Sequence, residues 1–170
     1  MVGIIKNKIK IPKAFKDINN ESEIIGIMLG DGYIHNKGYS IRLKVREKDF
    51  IKNFSNLIEK TYSIKAINRD YDYPCSFVHS KELSKRLIEL THNNKKIPDF
   101  ILNGLKETKA RFLRGFIDSE GSVDTIYNRR QIVVTQLDIE LLEQLKSLLS
   151  DLGIQSRVIK KKHDSNKLII

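Results

Sequence analysis

Two acidic residues, Asp31 and Glu120, hold matching places in two look-alike segments of the chain. The segments read IIGIMLGDG at 24–32 and LRGFIDSEG at 113–121, each an apolar run that ends in an acid followed by glycine. Small residues recur four positions apart in both runs, namely Gly26, Gly30, Gly115 and Ser119. That spacing flattens one side of a helix, so two such helices can touch backbone to backbone. We therefore expect Asp31 and Glu120 to lie side by side at the end of a tightly packed helix pair.

A carboxylate pair in that place favours a bound cation. Each acid adds negative charge to the negative end of a helix dipole, and the two like charges repel each other. Oxygen ligands of this kind suit magnesium or calcium, and magnesium keeps waters that can be activated for hydrolysis. The alternative is that both segments are ordinary core helices with capping acids. Gly32 and Gly121, directly after the acids, are predicted to take the left-handed conformation that ends many helices.

The composition points to a polyanionic partner. Lysine and arginine total 31 against 21 acids, a formal net charge of +10 that is spread along the 170 residues. Nucleic acid is the commonest partner of such a surface, and a generally basic protein without a polyanionic partner is the alternative. The single cysteine, Cys75, excludes an intramolecular disulfide and a cysteine metal cluster. With no membrane-spanning run and no secretory signal, we expect an intracellular, non-secreted protein, in a prokaryotic cytoplasm or an organelle.

The first half is predicted to run α-β-β-α-β-β-α. A basic arm at 1–21 leads to a helix that starts near Ser22, and a turn at Asn36–Gly38 joins two strands. In the second strand the apolar residues face one way and Arg42, Lys44 and Arg46 the other. The next helix is predicted from a cap at Asp49 to Lys60. Two strands lie within 63–80, a helix spans 81–90, and a polar linker follows.

The pattern then restarts, which indicates an internal duplication. Glu120 lies 89 positions after Asp31, and the same shift carries Gly26 to Gly115 and Gly32 to Gly121. It also places Leu43 on Ile132, Val45 on Val134, Glu47 on Gln136 and Asp49 on Asp138. The predicted units are a first half at 22–92, a linker at 93–105 and a second half at 106–170. The second half is expected to be truncated, without a third helix.

From about Ser22 onward, the two motifs, their separation and this element order resemble the single-chain, two-motif LAGLIDADG homing endonucleases, which are encoded within introns or inteins. RGFIDSEGS at 114–122 is close to the family pattern, and IPDFIL at 97–102 falls where the family has an IP-containing connector. In the first motif, Leu29 stands where many members have an acid. The resemblance implies an α+β fold of two pseudo-symmetric αββαββα halves, with antiparallel saddle-shaped sheets, packed through the two motif helices.

The resemblance also implies an activity. Members cut both strands of a long, pseudo-palindromic double-stranded DNA site and leave 3′ overhangs. The implied cofactor is Mg²⁺, with Mn²⁺ as a possible substitute and Ca²⁺ supporting binding without cleavage. Because one chain carries both acids, a monomer is expected. The alternatives are an RNA-binding maturase that acts on its own intron, and a DNA-binding regulator built on the same scaffold.

By position, the resemblance assigns the site residues. Asp31 and Glu120 would bind metal, with the carbonyls of Gly30 and Ser119 as further ligands. A strand-end pattern that holds the water network in the family reads VREK at 45–48 and VTQL at 134–137. It makes Glu47, Lys48 and Gln136 catalytic candidates, although a solvated lysine is the alternative for Lys48 and Leu137 replaces its counterpart. The DNA-contacting candidates on the strands are Arg42, Lys44, Arg46, Arg69, Tyr71, Arg129, Arg130, Gln131, Thr135 and Arg157.

Overall fold

Two sets of elements follow one another in the same order along the chain. The computed structural model describes residues 17–35, 38–93, 95–125, 130–161 and 165–170. The first set is α1 (Ile18–Leu29), β1 (Gly32–Ile34), β2 (Ile41–Lys44), α2 (Lys48–Tyr62), β3 (Ile67–Asp70), β4 (Pro74–Val78) and α3 (Lys81–Thr91). After a short helix, α4 (Asp99–Leu102), the second set is α5 (Lys106–Glu120), β5 (Gly121–Asp124), β6 (Gln131–Gln136), α6 (Ile139–Asp151), β7 (Arg157–Ile159) and β8 (Asn166–Ile169). The α+β fold is confirmed, and in the described part of the second set no helix follows β8.

Each set forms its own four-stranded antiparallel sheet with one shared topology. The strand orders are β1-β2-β4-β3 and β5-β6-β8-β7. One face of each sheet is covered by helices. In the first half, the buried residues of α2 on this face are Ile51, Phe54 and Ile58. In the second half, the buried residues of α6 are Leu141, Leu145 and Leu149. The opposite face of each sheet has no helix packed on it among the described residues.

The motif helices α1 and α5 touch backbone to backbone, as their glycines predict. A Cβ atom built on Gly26 would lie 2.3 Å from the carbonyl oxygen of Phe112, and one on Gly115 would lie 2.3 Å from that of Glu23. Phe112 lies 89 positions after Glu23, so the two close approaches are related by the duplication. No larger residue fits at either crossing point without moving a helix.

The glycines that follow the two acids serve a different purpose from the one predicted. Neither Gly32 nor Gly121 is among the positive-φ residues, and Gly121 has φ −77° and ψ 137°. A Cβ on Gly32 would lie 2.4 Å from Cα of Met28, and one on Gly121 would lie 2.4 Å from the carbonyl oxygen of Ile117. The left-handed prediction is wrong: these residues are glycine because each strand leaves its helix so sharply that the backbone returns against the last turn.

Two predicted helix starts are also wrong, because each residue predicted to cap a helix lies inside it. The first helix begins at Ile18, where the Asp17 side chain accepts a hydrogen bond from Asn20 N, and Ser22 lies inside the helix with its hydroxyl on Ile18 O. Helix α2 begins at Lys48 after Glu47, and Asp49 lies within its first turn. The arm residues 1–16 and the turn residues Asn36 and Lys37 lie outside the described part of the chain.

Two buried carboxylates of α1 tie the helices together. Glu21 receives Arg86 Nε at 2.6 Å, Arg86 Nη2 at 2.9 Å and the Tyr62 hydroxyl at 3.1 Å, which joins α1 to α3 and α2. Burial, and then the Glu21 carboxylate, raise the pKa of Tyr62 well above its usual value. Glu23 receives Arg111 Nη1 at 2.8 Å and Arg114 Nε at 3.0 Å, both from α5. These charge-assisted bonds satisfy acids that would otherwise be costly to bury.

The second hairpin is two residues longer than the first, so the shift of 89 does not extend through it. Gly32 pairs with Leu43, eleven positions on, whereas Gly121 pairs with Val134, thirteen positions on. Val134 is therefore the counterpart of Leu43, and both side chains are fully buried. The predicted equivalences of Leu43 with Ile132, Val45 with Val134, Glu47 with Gln136 and Asp49 with Asp138 are wrong in the sheet register.

Candidate active site

The carboxylates of Asp31 and Glu120 meet at the end of the α1–α5 pair. The Asp31 backbone N–H donates to Ser119 Oγ at 2.8 Å, which fixes the exit of one motif helix on the last turn of the other. A Cβ placed on Gly30 would lie 3.0 Å from Cγ of Glu120. Glu120 is the last residue of α5, and Asp31 comes directly after Gly30, the residue that caps α1. The glycine contacts that set the positions of both helices lie about one turn earlier. The geometric expectation from the sequence therefore holds at this point.

The Asp31 carboxyl is held in an environment that disfavours its charge. Partial burial raises its pKa, a hydrogen bond from Ser119 lowers it, and the Glu47 carboxylate raises it. Glu47 is the residue just before α2, so this helix start brings a third acid toward the pair. The balance is a raised pKa, which means that Asp31 gains from any nearby positive charge.

Glu120 shares this behaviour and couples to Asp31. Partial burial raises its pKa, the Asp31 carboxylate raises it further, and a hydrogen bond from the Gln136 side chain lowers it. Gln136, at the end of β6, thus orients the Glu120 carboxylate. Glu47 and Gln136 do not hold equivalent positions in the two hairpins, yet each lies beside the acid of its own half.

The donor set suits a hard divalent cation that is completed by oxygen atoms from elsewhere. Among the described residues there is no group of three or more histidine, cysteine, aspartate or glutamate side chains arranged to hold a metal ion. Asp31 and Glu120 would therefore supply two carboxylate ligands, and the remaining positions would fall to water or to phosphate oxygens, as is common for magnesium. The mutual repulsion of the two carboxylates is what a cation would relieve. The Gly30 and Ser119 carbonyls remain predicted ligands.

Lys48 makes its ion pair away from the acids. Its ammonium group binds the Asp70 carboxylate of β3, and its side chain is 70% exposed. This geometry matches the alternative of a solvated lysine at a helix start. Leu137, where the second half departs from the lysine pattern, is 80% exposed and contributes its carbonyl oxygen to Asn166 Nδ2 at 3.0 Å.

The open face of the first sheet carries the predicted cations in contact with aromatic rings. The Arg42 guanidinium lies 5.0 Å from the Tyr33 ring centroid, and Lys44 Nζ lies 5.3 Å from that of Tyr73. Arg46 also lies over Tyr73, at 5.5 Å. Arg69 lies 5.9 Å from the Phe77 ring and donates to the Tyr71 hydroxyl at 2.7 Å. The sequence predicted the cations and Tyr71, but not that Tyr33, Tyr73 and Phe77 support them.

The predicted DNA-contacting residues of the second sheet are not stacked on aromatic rings in the way that those of the first sheet are, among the residues described. Arg130, Thr135 and Arg157 are exposed, and Gln131 is half-buried with its amide on Asp124 Oδ2 at 3.4 Å. Arg129 lies outside the described residues. The described faces of the two sheets are thus unequal, the first rich in stacked cations and the second less so.

Within the described residues, every helix is too short or too polar to span a membrane.

Comparison with known proteins identifies the scaffold. The model of the LAGLIDADG-like domain matches residues 107–170. The fold superposes on a mesophilic variant of the homing endonuclease I-DmoI with a TM-score of 0.69 at 17% identity, covering 90% of this chain and 88% of that one. The chain has the LAGLIDADG fold. The N-terminal LAGLIDADG domain of WhiA has the same fold, with a TM-score of 0.63 at 18% identity and coverage of 95% and 78%.

The chain also aligns with parts of longer curated proteins. It is 32% identical to MJ0398 of Methanocaldococcus jannaschii over 146 residues, covering 81% of the chain and 50% of the relative. It is 25% identical to a probable translation initiation factor IF-2 of the same organism, covering 97% of the chain but 14% of the factor. A ribonucleoside-diphosphate reductase subunit of Bacillus subtilis aligns at 22% identity over 86% of the chain and 15% of the subunit. The chain therefore spans half or less of these relatives.

Proposed function

We propose that this chain is a site-specific homing endonuclease that hydrolyses phosphodiester bonds in both strands of a long, pseudo-palindromic DNA duplex and leaves 3′ overhangs. The observation that carries the proposal is the Asp31–Glu120 pair at the end of the two packed motif helices, accompanied by two sheets whose open faces have no helix packed on them within the described residues. The LAGLIDADG fold is shared with WhiA, so the scaffold does not by itself distinguish a nuclease from a binding protein. The acid pair and its polar neighbours are the features that support a nuclease over a binding protein.

Each acid would serve one strand. Magnesium, when bound, supplies charge stabilisation to the attacking and leaving oxygens and an activated water. Asp31 and Glu120 would hold the cation between the halves, and Gln136 keeps the Glu120 carboxylate oriented by its hydrogen bond. Glu47, which faces Asp31, can accept a proton from a water that approaches the first-half strand. Solved structures of I-DmoI contain DNA together with Mn, Ca or Mg, which supports the use of a divalent cation here.

The pattern of relatives supports a mobile origin. Two of the relatives, an initiation factor and a ribonucleotide reductase subunit, have unrelated activities. Each contains a stretch that is similar to most of this chain, and that stretch makes up about one seventh of the relative's own length. A segment shared by unrelated enzymes does not serve their catalytic activities. It behaves as an insertion, and a nuclease that cuts the uninserted gene would propagate such a segment.

The test is selection of a bound duplex followed by cleavage. Protein in calcium buffer would be used to enrich a random double-stranded DNA library, and the enriched duplex would then be given magnesium and its ends mapped. Asp31→Asn and Glu120→Gln are expected to retain binding and to lose double-strand cleavage. Asp118→Asn, an exposed acid of the same helix, is the matched control and should cut normally.

Double-strand cleavage by Asp31→Asn or Glu120→Gln at the rate of the unaltered protein would refute the proposed site. Binding without cleavage by the unaltered protein would favour a DNA-binding regulator. Preference for a structured intron RNA over every enriched duplex would favour the maturase alternative.

A further inference from the structure

A groove lies on the helix side of the first half, between α1, α2 and α5. Its volume is about 600 Å³, which is within the range of small-ligand sites. Every side chain that lines it comes from one of these three helices, so the groove is separate from the open faces of the sheets. Its charged lining residues are Glu23, Lys60, Arg111, Arg114 and Asp118.

The α1 side of the groove contains a buried amide that lacks an acceptor. The Asn20 side chain lines the groove and is 1% exposed, and its Nδ2 atom has no hydrogen-bond partner among the described residues. Its Oδ1 atom accepts a hydrogen bond from Arg111 Nη2 at 3.2 Å, which identifies the oxygen end of the amide. A buried donor without a partner is costly, so we expect an acceptor oxygen from a ligand to pair with this nitrogen.

The equivalent positions of the second half form an ion pair instead. In the motif helices the shift of 89 takes Asn20 to Lys109. Helix α2 begins at position 48 and α6 at position 139, a shift of 91 that takes Lys60 to Asp151. Lys109 Nζ binds Asp151 Oδ2 at 2.5 Å. In the first half, Lys60 carries only donors and has no ion pair with a described residue, so neither it nor the Asn20 nitrogen can satisfy the other.

The two arginines add further donors to this part of the groove. Glu23 is already bound by Arg111 Nη1 at 2.8 Å and by Arg114 Nε at 3.0 Å, so its charge is balanced. Each guanidinium has five N–H donors, and Arg111 Nε and Arg114 Nη1 have no partner within the described chain. Asp118, the other acid of the groove, lies seven residues beyond Arg111 on α5, about 10 Å along the helix axis. Lys60 therefore leaves an excess of positive charge beside the unpaired amide.

We propose that this groove binds a phosphate group through Asn20 Nδ2, Lys60 and the remaining N–H groups of Arg111 and Arg114. Phosphate supplies several acceptor oxygens, arginine and lysine are its usual protein ligands, and the net charge of +10 favours a polyanionic source. Residues 1–16 contain five lysines and no acid, so no carboxylate side chain of the basic arm can take this place. The phosphate would come from the backbone of a nucleic-acid strand or from free phosphate. The site does not include Asp31 or Glu120 and does not depend on the proposed cleavage.

An NMR titration of the whole chain tests the site and distinguishes the two sources. The buffer contains EDTA and has constant ionic strength, so that no metal-dependent cleavage takes place. The probes are inorganic phosphate and, separately, a single-stranded oligonucleotide. The side-chain amide resonances of Asn20, assigned by their loss in Asn20→Asp, are expected to shift and to saturate. Saturation at a lower concentration of oligonucleotide than of phosphate identifies a nucleic-acid strand, and the reverse order identifies free phosphate.

A charge-reversal variant shows whether the groove is responsible for the binding. Lys60→Glu should weaken binding of the probe by at least about tenfold, because it replaces a charge-assisted donor by a like charge. Lys52→Glu makes the same change at an exposed lysine of the same helix outside the groove, and its affinity should match that of the unaltered protein. Thermal unfolding of both variants checks that each is folded.

Two results would overturn the phosphate site. One is an Asn20 amide whose resonances do not move with either probe. The other is equal affinity of folded Lys60→Glu and the unaltered protein. Neither result bears on the nuclease function, which fails or stands with Asp31→Asn and Glu120→Gln on the selected duplex.

Discussion

Replacing Gly115 by alanine should push the motif helices apart. The added methyl group would lie 2.3 Å from the carbonyl oxygen of Glu23 and 3.1 Å from Ile27 N, both backbone atoms that cannot rotate away. An ordinary contact begins near 3.4 Å, so α1 and α5 must separate by about 1 Å. Asp31 and Glu120 lie at the end of these same helices, and their separation would change with it.

Two opposing terms set the size of the effect. Alanine favours an isolated helix over glycine by about 1 kcal/mol, which would stabilise the protein if the site had room. Overpacking a rigid contact typically costs about 1–3 kcal/mol, and here it acts between backbones, so we expect the upper end and a net loss of about 2 kcal/mol. For a chain of this size that corresponds to a fall in Tm of roughly 4–8 °C. Displacement of catalytic groups by about 1 Å should reduce cleavage by roughly 100-fold.

Thermal unfolding and cleavage of the selected duplex measure both effects. Ala110→Leu is the control, because Ala110 is an exposed position of the same helix and should tolerate the added bulk. A Gly115→Ala protein with an unchanged or raised Tm and full cleavage would refute the argument that backbone contact at this glycine positions the acids.

Three further outcomes follow from the charged groups. Glu120→Gln should raise the Tm at pH 7 but change it little near pH 4, because burial, and then Asp31, raise the pKa of Glu120, so that the protonated carboxyl favours folding and this contribution is lost as pH rises. Equal Tm shifts at both pH values would contradict the raised pKa. Arg86→Met should lower stability by about 3 kcal/mol in urea unfolding, because it leaves the Glu21 carboxylate buried without its cation, whereas Lys85→Met on the same helix should be neutral. Ser119→Ala should lower cleavage more than duplex affinity, because it frees the Asp31 backbone from α5; an equal loss of both would indicate a general defect.

The motif helices and the acid pair could be predicted because their signals are local and repeated. Glycines four apart followed by an acid and another glycine appear twice, and the repeat itself indicates a paired arrangement. The alternation around Arg42 and Lys44 likewise predicted an open cationic face. These features depend on residue type and spacing, which the sequence displays directly.

The remaining features depend on long-range contacts or on small changes in loop length. The second hairpin is two residues longer than the first, and no residue pattern in its sequence marks the extra length. The prediction therefore applied the shift of 89 beyond this hairpin, where the sheet register no longer follows it. Glu21 and Glu23 stand within a buried helical run, which is a signal that cations must reach them. The sequence does not say which cations, since Arg86 and Arg111 are 65 and 88 positions away.

The Glu23 contacts also make the two halves mutually dependent partners. The residues that reach Glu23 are Arg111 and Arg114, and the duplication places Ser22 and Ile25 at those positions in the first half. A first half that met a copy of itself would bury two glutamates against serine and isoleucine, and a second half that met its own copy would leave arginines without acids. After duplication, the two sides of this interface have diverged so that each half is complementary only to the other half. Hybrid proteins assembled from halves of different relatives would have to exchange both sides of this interface together.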